Sequence, residues 1–355
     1  RREIRLARPA LRRGDLARLD EAVESGWLGG GPRVAELEAG LSEILRVRHV
    51  IACSSGTAAL QMALLACGIG AGDEVIVPDF TFPATANAVE HTGARPVLVD
   101  VDPETLNLDL TLAERAIGGK TRAILPVHQF GRPLDLDALR ALAGRHDLRL
   151  VEDAACALGA SWRETPCGAA GIAGCFSFHP RKIVTTGEGG AVVTNDEGVA
   201  ERCRQLRNHG ALPGPEADYA LCGFNFRMSD VHAVLGLAQL PRLEALVADR
   251  RRLAALYDTR LAEVPGVRPP RPLLEGRHVY QSYVVLLAEG IERDRCVRAL
   301  GERGIEAGPG ARAIHSLRYY RDRYGYAPGE LPCSFGAARH ALALPLHPAM
   351  AEEDV

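Results

Sequence analysis

Lys182 sits in "SFHPRKIVTTGEGG" (177–190), and it is one of two lysines set against forty arginines. Arginine stays protonated in proteins and cannot serve as an amine nucleophile or a base. A lysine kept where arginine does almost every other cationic job is a candidate for amine chemistry, either Schiff-base formation or proton transfer. The bias towards arginine could equally be compositional, and a surface charge is the ordinary role of a lysine. Lys120, in the polar turn "GGKTRAI", fits that ordinary role.

Three other groups fall, like Lys182, just past short apolar runs. Ser55-Gly56-Thr57 in "SSGTAAL" opens a helical stretch. The free N–H groups of a helix start suit a phosphate, and a plain N-cap would use the same residues. Phe80 and Phe82 in "VPDFTFPATAN" could offer a ring to stack on a flat cofactor, or could be core. Glu152 and Asp153 end the strand in "LVEDAACALGA". A carboxylate there is costly to bury unpaired and could face a protonated ring nitrogen, or could cap a turn. A phosphate cradle, a stacking ring, a strand-end carboxylate and a lysine together are the parts of a pyridoxal 5'-phosphate (PLP) site. That cofactor needs an amine for its Schiff base and an acid opposite its pyridinium nitrogen.

The elements that must position these groups are legible as an alternation. "HVIACS", "DEVIVP", "RPVLVDV", "TRAILPVH", "LRLVEDA", "GCFSFH" and "GAVVTND" read as strands. Between most of them lie stretches of helical period such as "TAALQMALLACG" and "DLDALRALAGRH". This is the pattern of βαβ units around a mostly parallel sheet, where ligands bind beyond the carboxyl ends of the strands. A loop is expected at 210–223 and a long helical stretch at 229–264, broken at Pro241. Strand "VYQSYVVLL" and helix "RDRCVRALGERG" then open a smaller unit. The expected division is a large domain over 1–249, with an N-terminal segment packing on the other unit, and a small domain over 250–355.

A net charge of -3 gives no basic footprint for nucleic acid. No apolar run is expected to reach membrane-spanning length. The N-terminus has no apolar leader core, and the missing initiator Met and abrupt "AEEDV" point to a trimmed chain. Nine cysteines without CxC or CxxC spacing argue against a disulfide framework or a metal knuckle. No metal is expected, and the chain reads as cytoplasmic.

The motifs "SSGTAALQMAL", "GAGDEVIVPDFTFPATANAV", "VEDAACALGA", "FSFHPRKIVTTGEGGAVVTND", "LRNHG" and "GFNFRMSDVHAVLGLAQL" occur in one order. With them the chain resembles the DegT/DnrJ/EryC1/StrS family of PLP-dependent sugar aminotransferases, from about 25–32 to 344–350. The resemblance implies an α/β fold, the fold-type I PLP-dependent aminotransferase: a large domain with a mostly parallel seven-stranded sheet plus a small C-terminal α/β domain. It implies a homodimer with shared active sites. On it, Lys182 carries the cofactor and Asp153 pairs with the pyridine nitrogen. Gly56, Thr57 and Ser177 hold the phosphate, Ser55 is a further cofactor-binding residue, Phe82 stacks on the ring, and Asn225 reaches the phosphate of the neighbouring subunit. His209, His315 and Arg227 lie in segments used near the substrate, and Arg181, Arg312 and Arg318 are further candidates for its negative charges. Cys156 departs from the family, which has Gln or His there contacting the cofactor's ring oxygen. A thiol is the weaker hydrogen-bond partner.

The implied reaction moves the amino group of glutamate, through the pyridoxamine form (PMP), to a keto sugar on a nucleoside diphosphate in amino-sugar biosynthesis. A keto-inositol acceptor, a PLP-dependent sugar dehydratase and a PLP-binding protein without turnover are the alternatives. Dehydratases of this scaffold replace the Schiff-base lysine, which is present here.

Overall fold

The computed structural model describes residues 3–214 and 218–355. Of the loop expected at 210–223, residues 215–217 lie outside the described residues. Seven strands form the larger sheet: β1 (His49–Cys53), β2 (Glu74–Pro78), β3 (Arg95–Val99), β4 (Thr121–Ile124), β5 (Arg149–Asp153), β6 (Ala173–Ser177) and β7 (Gly190–Thr194). Their order is β1-β7-β6-β5-β4-β2-β3, with β7 antiparallel to both neighbours and the other pairs parallel. A second, antiparallel sheet has the order β8 (Val267–Arg268), β9 (Tyr283–Leu287), β11 (Ala341–Leu344), β10 (Gly308–Pro309).

The larger sheet is apolar on both faces, so its strands read as continuous apolar runs rather than alternating ones. In β1, Ile51 and Cys53 join one core and Val50 and Ala52 another. The first core is filled by the helix α1 (Gly56–Ala66), whose Ala59, Leu60, Met62, Ala63 and Leu64 are all buried. A helix buried nearly all round has no polar face to declare its period. The second core takes Leu243, Leu246 and Val247 from the helix Leu243–Leu261, and the smaller sheet's core takes Leu253, Ala254 and Tyr257 from the same helix. Position 250 therefore falls inside one helix that is shared between two cores. Pro241 lies in a 3₁₀ turn, Leu240–Arg242, between this helix and Asp230–Gln239. At the N-terminus, Ile4 bridges Ile305 and packs on the smaller sheet's core.

Contrary to the expectation that no run is long enough, Asp230–Leu261 is long enough to cross a membrane and holds an 18-residue window with a mean hydropathy of 1.2, by length and composition alone. Much of its apolar side is packed within the two cores just described. All nine cysteines are free, and Cys53, Cys67, Cys167, Cys175 and Cys203 are buried.

Strand β9 starts later than the run "VYQSYVVLL" predicts. Val279 donates its N–H to the Gly131 carbonyl, and the Gln281 side chain bonds to the backbone around Lys182. These residues spend their polar groups on the larger domain's loops before the chain enters the ladder.

Candidate active site

Strand register brings the predicted groups to one edge of the larger sheet. Cys53 of β1, Gly190 of β7 and Ser177 of β6 stand in one row, and Asp153 of β5 pairs with Cys175, two residues below Ser177. The chain leaves β1 through Ser55, the N-cap of α1, whose hydroxyl accepts the Ala58 N–H at 3.1 Å. Gly56 and Thr57 then present first-turn N–H groups, which have no acceptor within the helix. Two glycines make this approach close. A Cβ on Gly56 would lie 2.8 Å from the Ser177 Cβ, and one on Gly190 would lie 2.4 Å from the Ser55 carbonyl oxygen. The Ser177 side chain therefore abuts the helix start, and cap and cradle are the same residues.

The two strand-end carboxylates have different jobs. Glu152 is fully buried and accepts N–H bonds from Gly168 (2.8 Å), Ala170 (2.6 Å) and Gly171 (2.8 Å). It also accepts a hydrogen bond from His128 Nε2–H at 2.8 Å, while the Leu134 N–H donates to His128 Nδ1. Burial pushes the Glu152 carboxyl up, but His128 and these N–H groups outweigh it and hold it below its ordinary value. Asp153 points the other way along the alternation of the strand. Its Oδ2 accepts from Thr85 Oγ1 at 2.8 Å and its Oδ1 from the Ala155 N–H at 3.1 Å. Burial raises its pKa, against the Thr85 and Ala155 bonds and the positive charge of Lys182. Among the described residues no cation pairs with it at contact distance.

Lys182 lies on the turn after β6. Its N–H donates to the His179 carbonyl at 2.8 Å and its Nζ meets Cys156 Sγ at 3.1 Å. That contact puts Lys182 beside the segment that leaves Asp153. Phe82 precedes the helix Pro83–His91 and is 72% exposed, whereas Phe80 is sealed in the core edge-on to Phe130. Of the two rings only Phe82 is free to stack on a ligand.

Asn225, His209 and Arg227 gather on an exposed strip beside β1. Asn208 pairs with Asn225, the His209 N–H donates to the Phe224 carbonyl, and Arg227 donates to Asn208 Oδ1 at 2.6 Å. The Ser54 N–H donates to the Phe226 carbonyl, which ties the strip to the strand end before the cradle.

His315 is not on an open face. Its ring is buried, its Nδ1 pairs with Asp79 Oδ2 at 2.6 Å, and its N–H donates to Asp79 Oδ1. Asp79 follows β2, and Arg312–Ala313 pairs with Phe80–Thr81 beside it. His315 thus clamps the C-terminal part of the chain to the strand before Phe82, and its Nε2 has no hydrogen-bond partner among the described residues. Lys120 is exposed in its turn.

Sequence reasoning missed Thr85 and Gln281. Thr85 falls in a helix of small residues, where a threonine carries no distinct signal. Gln281 interrupts an apolar strand run, a polar residue that needs a partner once buried.

This set fits PLP on its own geometry. A glycine-lined helix start and a serine hydroxyl suit the phosphate, a buried carboxylate has no ion-pair partner among the described residues, an amine lies near it, and an exposed ring stands nearby.

The profile of the DegT/DnrJ/EryC1/StrS aminotransferase family matches residues 9–355. The chain is 40% identical over 356 residues to the GDP-perosamine synthase of Caulobacter vibrioides, covering 99% of this chain and 95% of that protein. It is similar to DesI, solved in the presence of its TDP-sugar product, with a TM-score of 0.92 and 37% identity over 100% of this chain and 90% of that one. It is also similar to a Streptococcus pneumoniae protein solved in its PLP form, with a TM-score of 0.94 and 28% identity over 99% and 96% of the two chains. Fold, cofactor and extent of match agree, and the chain belongs to the DegT/DnrJ/EryC1/StrS family of PLP-dependent aminotransferases.

Proposed function

We propose that this enzyme moves the amino group of glutamate to a keto sugar carried on a nucleoside diphosphate, and that it works as a cytoplasmic homodimer. The observation that carries the reading is the placement of Lys182 Nζ, 3.1 Å from Cys156 Sγ, beside the buried Asp153 carboxylate. PLP, when bound, supplies an electrophilic carbonyl and a ring that accepts the electron pair of a carbanion.

The chain's residues do the rest. With PLP bound, Lys182 Nζ would hold it, and as a free amine would accept the proton removed from the donor's Cα. Arginine could not do this, since it does not release its proton. Asp153, fixed by Thr85 and the Ala155 N–H, holds the proton on the pyridine nitrogen. Gly56, Thr57 and the hydroxyls of Ser55 and Ser177 hold the phosphate. Phe82 would stack on the ring.

The acceptor class is supported by the relatives named for GDP- and TDP-sugars and by free arginines. Among the described residues neither Arg227 nor Arg312 pairs with a carboxylate. Arg312 stands opposite Thr81, so the two side chains share a face of the ladder. Thr81 in turn touches Thr85, the partner of Asp153. Dimer formation is supported by exposed apolar residues on the rim: Trp27 is 60% and Leu28 50% exposed, and Gly29 bridges Ser229, four residues from Asn225. On this reading the exposed Asn225 would serve a second copy. Free cysteines suit a reducing compartment.

The test is turnover of the PLP-loaded protein with glutamate and a panel of keto sugar nucleotides, with the product identified by NMR. An amino sugar nucleotide and 2-oxoglutarate in equal amounts are expected. Turnover with a keto-inositol and none with any sugar nucleotide would overturn the acceptor assignment.

A further inference from the structure

The backbone on either side of Lys182 is held by one side chain. Gln281 is 7% exposed and lies two residues before β9 of the smaller sheet. Its Oε1 accepts the Ile183 N–H at 3.0 Å, and its Nε2 donates to the Arg181 carbonyl. The two bonds bracket Lys182 in the chain. Only a side chain with both a donor and an acceptor can make them, and the partners are about a hundred residues away in sequence.

Gln281 is itself held. Its carbonyl accepts from Arg250 Nη1 at 3.1 Å, and the same guanidinium donates to the Leu346 carbonyl at 3.0 Å and to the Tyr280 carbonyl. Arg250 is 2% exposed, sits mid-way along the helix shared by the two cores, and has no carboxylate partner among the described residues. Tyr280, next to Gln281, has φ +47°, a left-handed conformation uncommon for an aromatic residue. Gly131 cannot carry a side chain here: its Cβ would lie 2.8 Å from the Cys156 carbonyl oxygen and 3.1 Å from the Gln281 nitrogen. The Gln281, Cys156 and Lys182 segments are thus packed around one point.

We propose that Gln281 is a positioning residue for transamination, and that it sets the reach of Lys182 from the smaller sheet. This rests on Lys182 being the amine that carries the cofactor. A long lysine tolerates side-chain rotation, but its two proton-transfer positions must both fall within reach of Nζ. Freedom in the backbone under it displaces every rotamer at once. The effect belongs on the proton-transfer step, in kcat, and less on substrate binding.

The experiment uses the PLP-loaded enzyme with wild type, Gln281→Ala, Gln281→Glu and Lys182→Arg. Loss of the visible absorption of bound cofactor in Lys182→Arg establishes the amine; its persistence sinks the lysine assignment, not the bracket alone. In Gln281→Ala, kcat is expected to fall about 10- to 100-fold, the scale of a ~1 Å misplacement, with both KM values within about twofold. Amide exchange at Ile183 is expected to speed up, a readout independent of turnover. Gln281→Glu keeps an acceptor for Ile183 and loses the donor to Arg181. It should preserve Ile183 protection while turning over more slowly than wild type. Wild-type kcat in Gln281→Ala, or unchanged exchange at Ile183, overturns the proposal. If Gln281→Ala does not fold, wild-type turnover in Gln281→Glu overturns it.

Discussion

Replacing Asp153 with Asn should move activity and apoprotein stability in opposite directions. The carboxylate is 4% exposed and receives two neutral donors, Thr85 Oγ1 at 2.8 Å and the Ala155 N–H at 3.1 Å. Asn keeps the size and one acceptor oxygen but cannot pair with a protonated ring nitrogen. A hydrogen bond to a charged group contributes about 1.5–3 kcal/mol, so kcat should fall by about 10- to 150-fold. Without cofactor the sign reverses. Burial raises the Asp153 pKa, so the folded apoprotein binds this proton more tightly than the unfolded chain does. Stability from this group therefore falls as pH rises from the ordinary aspartate range through the folded pKa. Asp153→Asn has no such loss, and its apoprotein should be the more stable of the two at neutral pH, with the gap closing in acid. Steady-state assays and thermal melts of the two apoproteins across pH give both readings. Turnover within twofold of wild type, or a stability gap that widens in acid, would refute the reasoning.

Phe82→Ala should weaken PLP binding by about 2- to 10-fold, the range of an aromatic stack, while the apoprotein melt stays put because the ring is 72% exposed; a cofactor titration and a melt check the pair. PLP loading should protect Cys156 from alkylation and leave the exposed Cys222 reactive, so peptide mapping after iodoacetamide provides its own control. Equal labelling of Cys156 with and without PLP would place it outside the pocket. His315→Ala removes the ring partner of the buried Asp79 carboxylate and leaves it only the backbone N–H of position 315, a loss of about 1–3 kcal/mol, read as a lower denaturation midpoint; a raised KM with an unchanged midpoint would give its ring a substrate role alone.

Lys182, Asp153 and the Ser55-Gly56-Thr57 turn are legible in the sequence because residue type and strand-end position coincide there. An amine among arginines, a carboxylate closing an apolar run and a glycine at a helix start each break a local pattern. The seven strands are legible because two-faced burial makes them short apolar runs between helical stretches. Thr85 and Gln281 are hidden because their meaning lies in a partner 68 and 98 residues away. His315 is ambiguous in the sequence because a histidine in a motif looks the same whether its ring faces substrate or is paired with Asp79. The early residues of "VYQSYVVLL" have strand composition, and what removes them from the ladder is the far loop they hold.

The most direct test is borohydride reduction of the PLP-loaded enzyme followed by peptide mass mapping. Stable incorporation of one phosphopyridoxyl group per chain on the peptide containing Lys182 is the predicted result. Incorporation on Lys120 or at the N-terminus, or none, would contradict the assignment on which the mechanism stands.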